Sequence, residues 1–347
     1  MQDLGKRNSQ QILIVGAGFS GATIARKLAE HGYQVTVIDK RGHVAGNAYD
    51  FVNEYGIRIH RYGPHLFHTS NQNVYEWLSQ FTEWVPYQHK VKALLANGSL
   101  VTLPPNKDTV EKVGRDNIVN IFYRPYTKKM WGLELDQIDP DIVNRVKPRE
   151  DLNELYFPDD VYQCLPKDGY TKLIQNMLDH ELIKISLNTP YAEGMEKMYV
   201  HTFNSMPIDE FFKYDCGQLP YRSIKFHTQT VPVPSLFPVG VVNFTHDEAY
   251  TRVTEWKNFP GHGTNLGYTT ITTEEPCDYV NNNYERYYPV KDFDGKNRAH
   301  YQKYKSKISS SMTFVGRCGL YAYLDMHQAV NSALKVAEDF IKKVATS

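Results

Sequence analysis

Cysteine is scarce in this chain: Cys164, Cys216, Cys277 and Cys318 lie far apart and never fall in a CxxC spacing. That argues against a disulfide-stapled scaffold and a metal site, and makes a reducing, cytoplasmic setting the expectation. An excess of either charge is also absent, since 39 basic residues balance 39 acidic ones. Without a basic field, neither nucleic acid nor an anionic membrane surface is an expected partner. No apolar run approaches the ~20 residues of a membrane span. The opening MQDLGKRNSQ has no apolar signal-peptide core. Repeats, low-complexity tracts and heptads are missing. What the chain does have is length, 347 residues, enough for two or three domains. It also has aromatics at 13%, with 25 tyrosines. Tyrosine joins a flat apolar face to a hydroxyl, which suits sugar and nucleobase pockets, although core packing accounts for much of the count equally well.

Residues 11–40 read QILIVGAGFSGATIARKLAEHGYQVTVIDK. An apolar strand, Ile12 to Val15, meets the turn Gly16-Ala17-Gly18-Phe19-Ser20-Gly21. A helix is expected from Ala22 to about His31, with Ala22, Ala25, Leu28 and Ala29 on one face, and Gly32 stops it. A second strand, Val35 to Ile38, ends on Asp39. This context turns a weak GxGxxG match into a dinucleotide-binding expectation. The first glycine permits the tight turn, the second lets a pyrophosphate approach the backbone, and the third lets helix and strand pack closely. The helix N-terminus then offers free N–H groups to the diphosphate. Asp39 is placed to accept from the adenosine ribose hydroxyls and disfavours a 2′-phosphate, hence NADP.

Beyond Asp39 comes a glycine-bearing loop with Lys40, Gly46 and Asn47, then His60-Arg61-Tyr62-Gly63-Pro64-His65-Leu66-Phe67-His68-Thr69. No acidic ligand lies among these histidines, so a loop presenting imidazole donors to a cofactor ring is expected rather than a metal. A helix is expected from Asn71 to about Phe81, capped by Thr69 or Ser70. A hairpin follows around Asn97-Gly98, then helix from Asp108 to about Met130 with breaks at Gly114 and Pro125. Another short helix is expected from Pro140 to Val146. β-Branched and aromatic runs between 220 and 275 point to an antiparallel sheet. The end returns to a strand and glycine turn at Met312–Arg317 and an amphipathic helix, Met326 to Ala345. The expected fold is α/β. An FAD-binding Rossmann-like domain is built from discontinuous segments, 1–70, 181–215 and 301–347. A mainly helical domain with the hairpin spans 71–180, and an antiparallel sheet domain 216–300. A nucleotide domain completed late in the chain is more typical of flavoproteins than of NAD dehydrogenases.

The motifs GAGFSG, HRYGPHLFHT, PYTKKMWG, PKDGYTKLI, YTRVTEWKNF, RYYPV and VGRCGLYAYLDMHQ together resemble the UDP-galactopyranose mutase family, in that family's order and over nearly the whole chain. The resemblance implies an isomerase that interconverts UDP-galactopyranose and UDP-galactofuranose without net redox change. In the family, N5 of reduced FAD forms a covalent adduct with the sugar while UDP departs and returns. It also implies a UDP-sugar substrate, an electron donor such as NAD(P)H or a flavin reductant, and a homodimer as one assembly. Arg145, on the family's lid segment, and Arg252 match its diphosphate-binding arginines. Tyr126, Tyr156, Tyr288 and Tyr323 match its phosphate-binding tyrosines, and Phe122 and Trp131 its substrate cleft. Asn243, His89 and Glu275 complete the expected substrate set. His65 and His68 match the histidines by the flavin ring, with His68 tuning the N5 region. Arg317, Asp325 and Met326 match the C-terminal flavin contacts.

Departures from the family pattern leave the sugar open between galactose and N-acetylgalactosamine. The segment between Pro104 and Trp131 is short, which also touches the family's dimer contacts. His89 replaces an asparagine, Trp256 a histidine and Met130 a glutamine, and Arg61 adjoins the histidine loop. Two alternatives stand beside the mutase: another FAD-dependent oxidoreductase of the amine-oxidase-like group, or a catalytically inactive nucleotide-sugar binder.

Overall fold

The computed structural model describes residues 11–139, 147–264 and 266–345. The expected helix from Pro140 to Val146, and Arg145 with it, lies outside them. A five-stranded parallel sheet is assembled from three distant parts of the chain. Its order is Ile183–Ser186, Gln34–Ile38, Gln11–Val15, His201–Asn204 and Met312–Phe314. The central strand, Gln11–Val15, is buried on both faces, as its unbroken apolar run requires. The glycine turn leads into the helix Phe19–Ala29, which packs against both Tyr170–Leu178 and the closing helix Met326–Ala345. Flanked on two sides, it buries Ala22, Thr23, Ile24, Ala25, Leu28 and Ala29, and the small residues permit that close approach.

The second layer is a seven-stranded sheet in the order Tyr288–Pro289, Tyr221–Val231, Thr269–Asp278, Arg252–Glu255, Val241–Phe244, Val91–Leu94 and Leu100–Leu103. All pairings are antiparallel except that of Val91–Leu94 with Val241–Phe244. The Asn97-Gly98 hairpin thus forms as expected, but it extends this sheet rather than standing inside the helical segment. A three-stranded antiparallel sheet, Phe67–Thr69, Tyr162–Pro166 and Trp84–Pro86, carries His68.

Two boundaries differ from expectation. The helix Gln72–Ser79 is capped by Asn71, whose side chain accepts from the Val74 N–H, because Thr69 belongs to a strand. The helical stretch is Lys107–Val113, a π-helical turn Val119–Tyr123 and Arg124–Trp131, broken at Gly114 where φ is +83°. Pro125 sits in the first turn of the last helix, where its missing N–H costs no hydrogen bond.

Candidate active site

A groove of about 310 Å³ runs along the carboxyl ends of the parallel strands. Its walls include Gly16, Gly18, Phe19, Ser20, Gly21, Asp39, Lys40, Gly46, Asn47, His65, Arg317, Asp325 and Met326, the full set of residues expected to hold the cofactor. The glycines play distinct parts. A Cβ on Gly21 would lie 1.9 Å from the Gly16 carbonyl oxygen, and one on Gly16 would lie 2.0 Å from Ser205 Oγ. Both are required by the fold itself. A Cβ on Gly18 would meet only Gly46, at 3.6 Å, so the space above Gly18 is left for a ligand. Gly18, at the N-cap, offers no side chain to the helix that begins at Phe19, and that N-terminus suits an anion. Asp39 differs in part from its expected role: one oxygen accepts the Ala17 N–H and the other the Arg41 N–H, both at 2.8 Å. The carboxylate therefore orders the glycine turn as well as facing the groove.

A second cavity, about 430 Å³, lies between the antiparallel sheet and the helix Arg124–Trp131. Phe122, Tyr126, Trp131, Tyr156, His68, His89, Asn243, Arg252, Tyr288 and Tyr323 line it. The two cavities share His65, Arg317, Asp325 and Met326. Tyr288 and Tyr323 stack at 5.4 Å, and the Arg317 guanidinium lies over both rings at 4.9 and 5.2 Å. Arg317 is fixed by the carbonyls of Tyr287 and Leu324. Burial raises the Tyr126 pKa and pushes Tyr288 up to about 12, so both keep their hydroxyl protons as donors.

The polar floor of this cavity is Asn243 and Arg252, two members of a row that crosses three strands. Asn243 pairs with Arg252, and Arg252 with Glu274. Arg252 Nε lies 2.8 Å from Glu274 Oε2. Burial opposes the arginine's charge, but the Glu274 carboxylate beside it holds the pKa above its ordinary value. The Asn243 side-chain oxygen is buried with no partner among the described residues, an acceptor awaiting a ligand donor. Glu275 does not join this site. On a strand the next residue faces the opposite way, so Glu275 turns outward to His227 Nε2 at 2.7 Å. The carboxylate on the same side as Arg252 is Glu274, which backs the arginine without lining the cavity.

The histidines also separate. His65 Nδ1 lies 2.8 Å from the Gly63 carbonyl, so that nitrogen carries the proton. Burial lowers its pKa to about 4, so the ring is neutral and Nε2 can only accept, where a donor was expected. His68 Nδ1 meets Asp160 Oδ2 at 2.6 Å, and its ring stacks on Phe157 at 3.5 Å. His89 contacts the Tyr87 hydroxyl at 3.1 Å, and burial takes its pKa down to about 3. Arg61 is exposed and lines neither cavity.

The family description UDP-galactopyranose mutase matches residues 121–323, and NAD(P)-binding Rossmann-like domain matches 14–81. A UDP-galactopyranose mutase of Mycoplasma pneumoniae is 31% identical over 96% of this chain and 97% of its own length. The chain belongs to the UDP-galactopyranose mutase family. A dTDP-fucopyranose mutase of Escherichia coli is 32% identical over 96% of this chain and 98% of its own length. Among solved structures, a reduced UDP-galactopyranose mutase aligns with a TM-score of 0.75 at 16% identity, covering 97% of this chain and 95% of that one. A putrescine oxidase variant shares the fold more loosely, with a TM-score of 0.60 at 13% identity, covering 96% of this chain and 99% of that one.

For this family member the sequence left several groups unnoticed. Glu274 stands one position from the expected Glu275, and only its pairing with Arg252 across the sheet tells the two apart. Asp160 and Phe157 lie about ninety residues from His68, and no local pattern links them. Arg149 is the other. Its Nη1 donates to the Leu155 carbonyl at 2.8 Å, while its Nε and Nη2 are buried without partners among the described residues. Leu155 precedes Tyr156, which lines the cavity, while Arg149 itself does not line it.

Proposed function

We propose that this enzyme interconverts UDP-galactopyranose and UDP-galactofuranose on reduced FAD, with no net redox change. The observation that carries this reading is the junction of the two cavities at His65, Arg317, Asp325 and Met326. A dinucleotide lying in the groove would end there, beside the arginine and tyrosines that suit a nucleoside diphosphate. When bound and reduced, the flavin supplies a nucleophilic ring nitrogen for the anomeric carbon.

The protein's part is to hold a leaving group that must come back. Arg252 stays charged and offers a guanidinium fork to the diphosphate, with hydroxyl donors from Tyr126, Tyr288 and Tyr323 around it. Arg145 is the second cation proposed for the diphosphate, and Arg149 is a further candidate. Phe122 and Trp131 give the base a flat apolar surface. Asn243 accepts from a substrate hydroxyl. His65 Nε2 accepts at the junction, and Asp160 with Phe157 fixes the His68 ring. The reading extends to UDP-N-acetylgalactosamine as a second substrate, to NAD(P)H or another flavin reductant as electron donor, to a homodimer and to a cytoplasmic location.

The test is to purify the protein, record its flavin spectrum, and incubate it with UDP-galactofuranose with and without dithionite. UDP-galactopyranose formed only under reduction supports the proposal. No product in either case, with UDP still bound, makes the chain a binder. Substrate-linked oxygen consumption makes it an oxidase. A parallel incubation with the dTDP-fucose pair addresses the nucleotide and the sugar together.

A further inference from the structure

The 245–251 loop joins two strands that each give the cavity a polar side chain, Asn243 and Arg252, paired directly across the ladder. A loop of this length has many shapes open to it, and those that shift its ends would strain the pairing that sets Arg252. Lys129 holds it. Its Nζ donates to the carbonyls of Phe244 at 3.1 Å, His246 at 2.7 Å and Tyr250 at 3.0 Å. An ammonium has three N–H donors, and here all three converge on backbone carbonyls from both ends of one loop. Each is charge-assisted and so stronger than a neutral pair.

Lys129 belongs to the helix Arg124–Trp131, which places Tyr126, Met130 and Trp131 in the same cavity. The same C-terminal end of that helix is also held from the sheet: Arg222 donates to the carbonyls of Met130 at 2.8 Å and Lys129 at 3.0 Å. The aromatic wall and the polar floor are therefore tied together at the last turn of the helix, by the Lys129 ammonium and the Arg222 guanidinium.

We propose that Lys129 is a positioning residue for nucleoside diphosphate binding, setting Arg252 and Asn243 at a fixed spacing from the aromatic helix. The inference rests on Arg252 as the diphosphate anchor. Lys129 itself lines no part of the cavity. Its effect must pass through the loop, which separates it from a residue that touches substrate.

The experiment titrates UDP into flavin-loaded wild type, Lys129→Met, Lys129→Arg, Arg252→Ala and the Lys129→Met/Arg252→Ala double variant, with KM and kcat measured alongside. Lys129→Met should weaken UDP binding about tenfold and raise KM to match, with kcat changed less than about twofold. Lys129→Arg should restore most of the affinity. In the Arg252→Ala background, Lys129→Met should add little, since residues acting as one unit are not additive. Additive losses, or unchanged UDP binding in Lys129→Met while Arg252→Ala weakens it, would overturn the inference. Unchanged binding in Arg252→Ala would sink the anchor reading and the inference with it. If Lys129→Met does not fold, Lys129→Gln retains two donors, and an affinity for UDP between those of wild type and Arg252→Ala is then expected; wild-type affinity overturns the proposal.

Discussion

Arg252 and Glu274 face each other on neighbouring antiparallel strands, Nε 2.8 Å from Oε2, with the carboxylate side chain 1% exposed. Burial raises the carboxyl pKa and Arg252 pulls it back, so the carboxylate depends on the arginine for its charge. Removing the carboxylate alone leaves a guanidinium uncompensated. Glu274→Ala should therefore lower stability by about 3 kcal/mol and weaken UDP binding, whereas Glu274→Gln should do less of both. Denaturant unfolding and UDP titration check this, and wild-type values for both quantities in Glu274→Ala would contradict it.

The glycine turn separates folding from cofactor binding. Gly18 has φ of −83°, which alanine adopts freely, and its Cβ would make only ordinary contact with Gly46. Gly18→Ala should fold with a near-wild-type Tm before flavin is added and carry little flavin. Gly21→Ala places its Cβ against the Gly16 carbonyl and should lose stability whether or not flavin is present. Comparing flavin-to-protein absorbance with Tm separates the two outcomes, and equal flavin content in Gly18→Ala and wild type would contradict the first.

What was legible in the chain was what is encoded locally. The residues from Gln11 to Lys40 spell their own strand, turn, helix and strand, because each step is set by residues a few positions away. The same holds for the Asn97-Gly98 hairpin and for the closing helix Met326–Ala345. The polar row Asn243, Arg252 and Glu274 was not legible, because strand register depends on tertiary pairing and a one-residue slip exchanges the faces. That slip is the difference between Glu274 and Glu275. The expected cap at Thr69 or Ser70 failed for a related reason: a three-stranded sheet takes Thr69, and the Ser70 hydroxyl bonds to the Asp159 carbonyl. Nor did composition show that His65 would use its proton on Gly63 and face the junction as an acceptor.

His68 is held on two sides, by Asp160 at Nδ1 and by the Phe157 face. The carboxylate fixes which nitrogen keeps the proton and which way the ring turns. Asp160→Ala releases the ring without emptying the cavity. Turnover should fall by about ten- to a hundredfold while KM changes little, since the groups that hold the diphosphate are untouched. A rise in KM with kcat preserved would instead place His68 among the binding groups.

The last prediction concerns acid. His60 Nδ1 accepts the His65 N–H at 3.0 Å, so its Nε2 carries the proton and donates to His262 Nε2 at 2.9 Å. His262 in turn donates from Nδ1 to the Pro260 carbonyl at 3.0 Å. The relay requires both rings to be neutral, and a proton on His262 Nε2 would set two N–H groups against each other. Burial lowers both pKa values, that of His60 well below the ordinary range and that of His262 to about 4. The unfolded chain therefore takes up protons first as pH falls. The stability from this pair is complete above the unfolded value of about 6.5 and is lost on descending toward about 4, by up to about 1.4 kcal/mol per pH unit for each ring. Urea unfolding at about pH 7 and about pH 5.5 should show that loss. A His60→Phe/His262→Leu variant should show a shallower dependence between the same two points. The same slope in both proteins would mean the pair stays neutral in the unfolded chain too, or is charged in the folded one, and either would break the relay that holds His65 at the cavity junction.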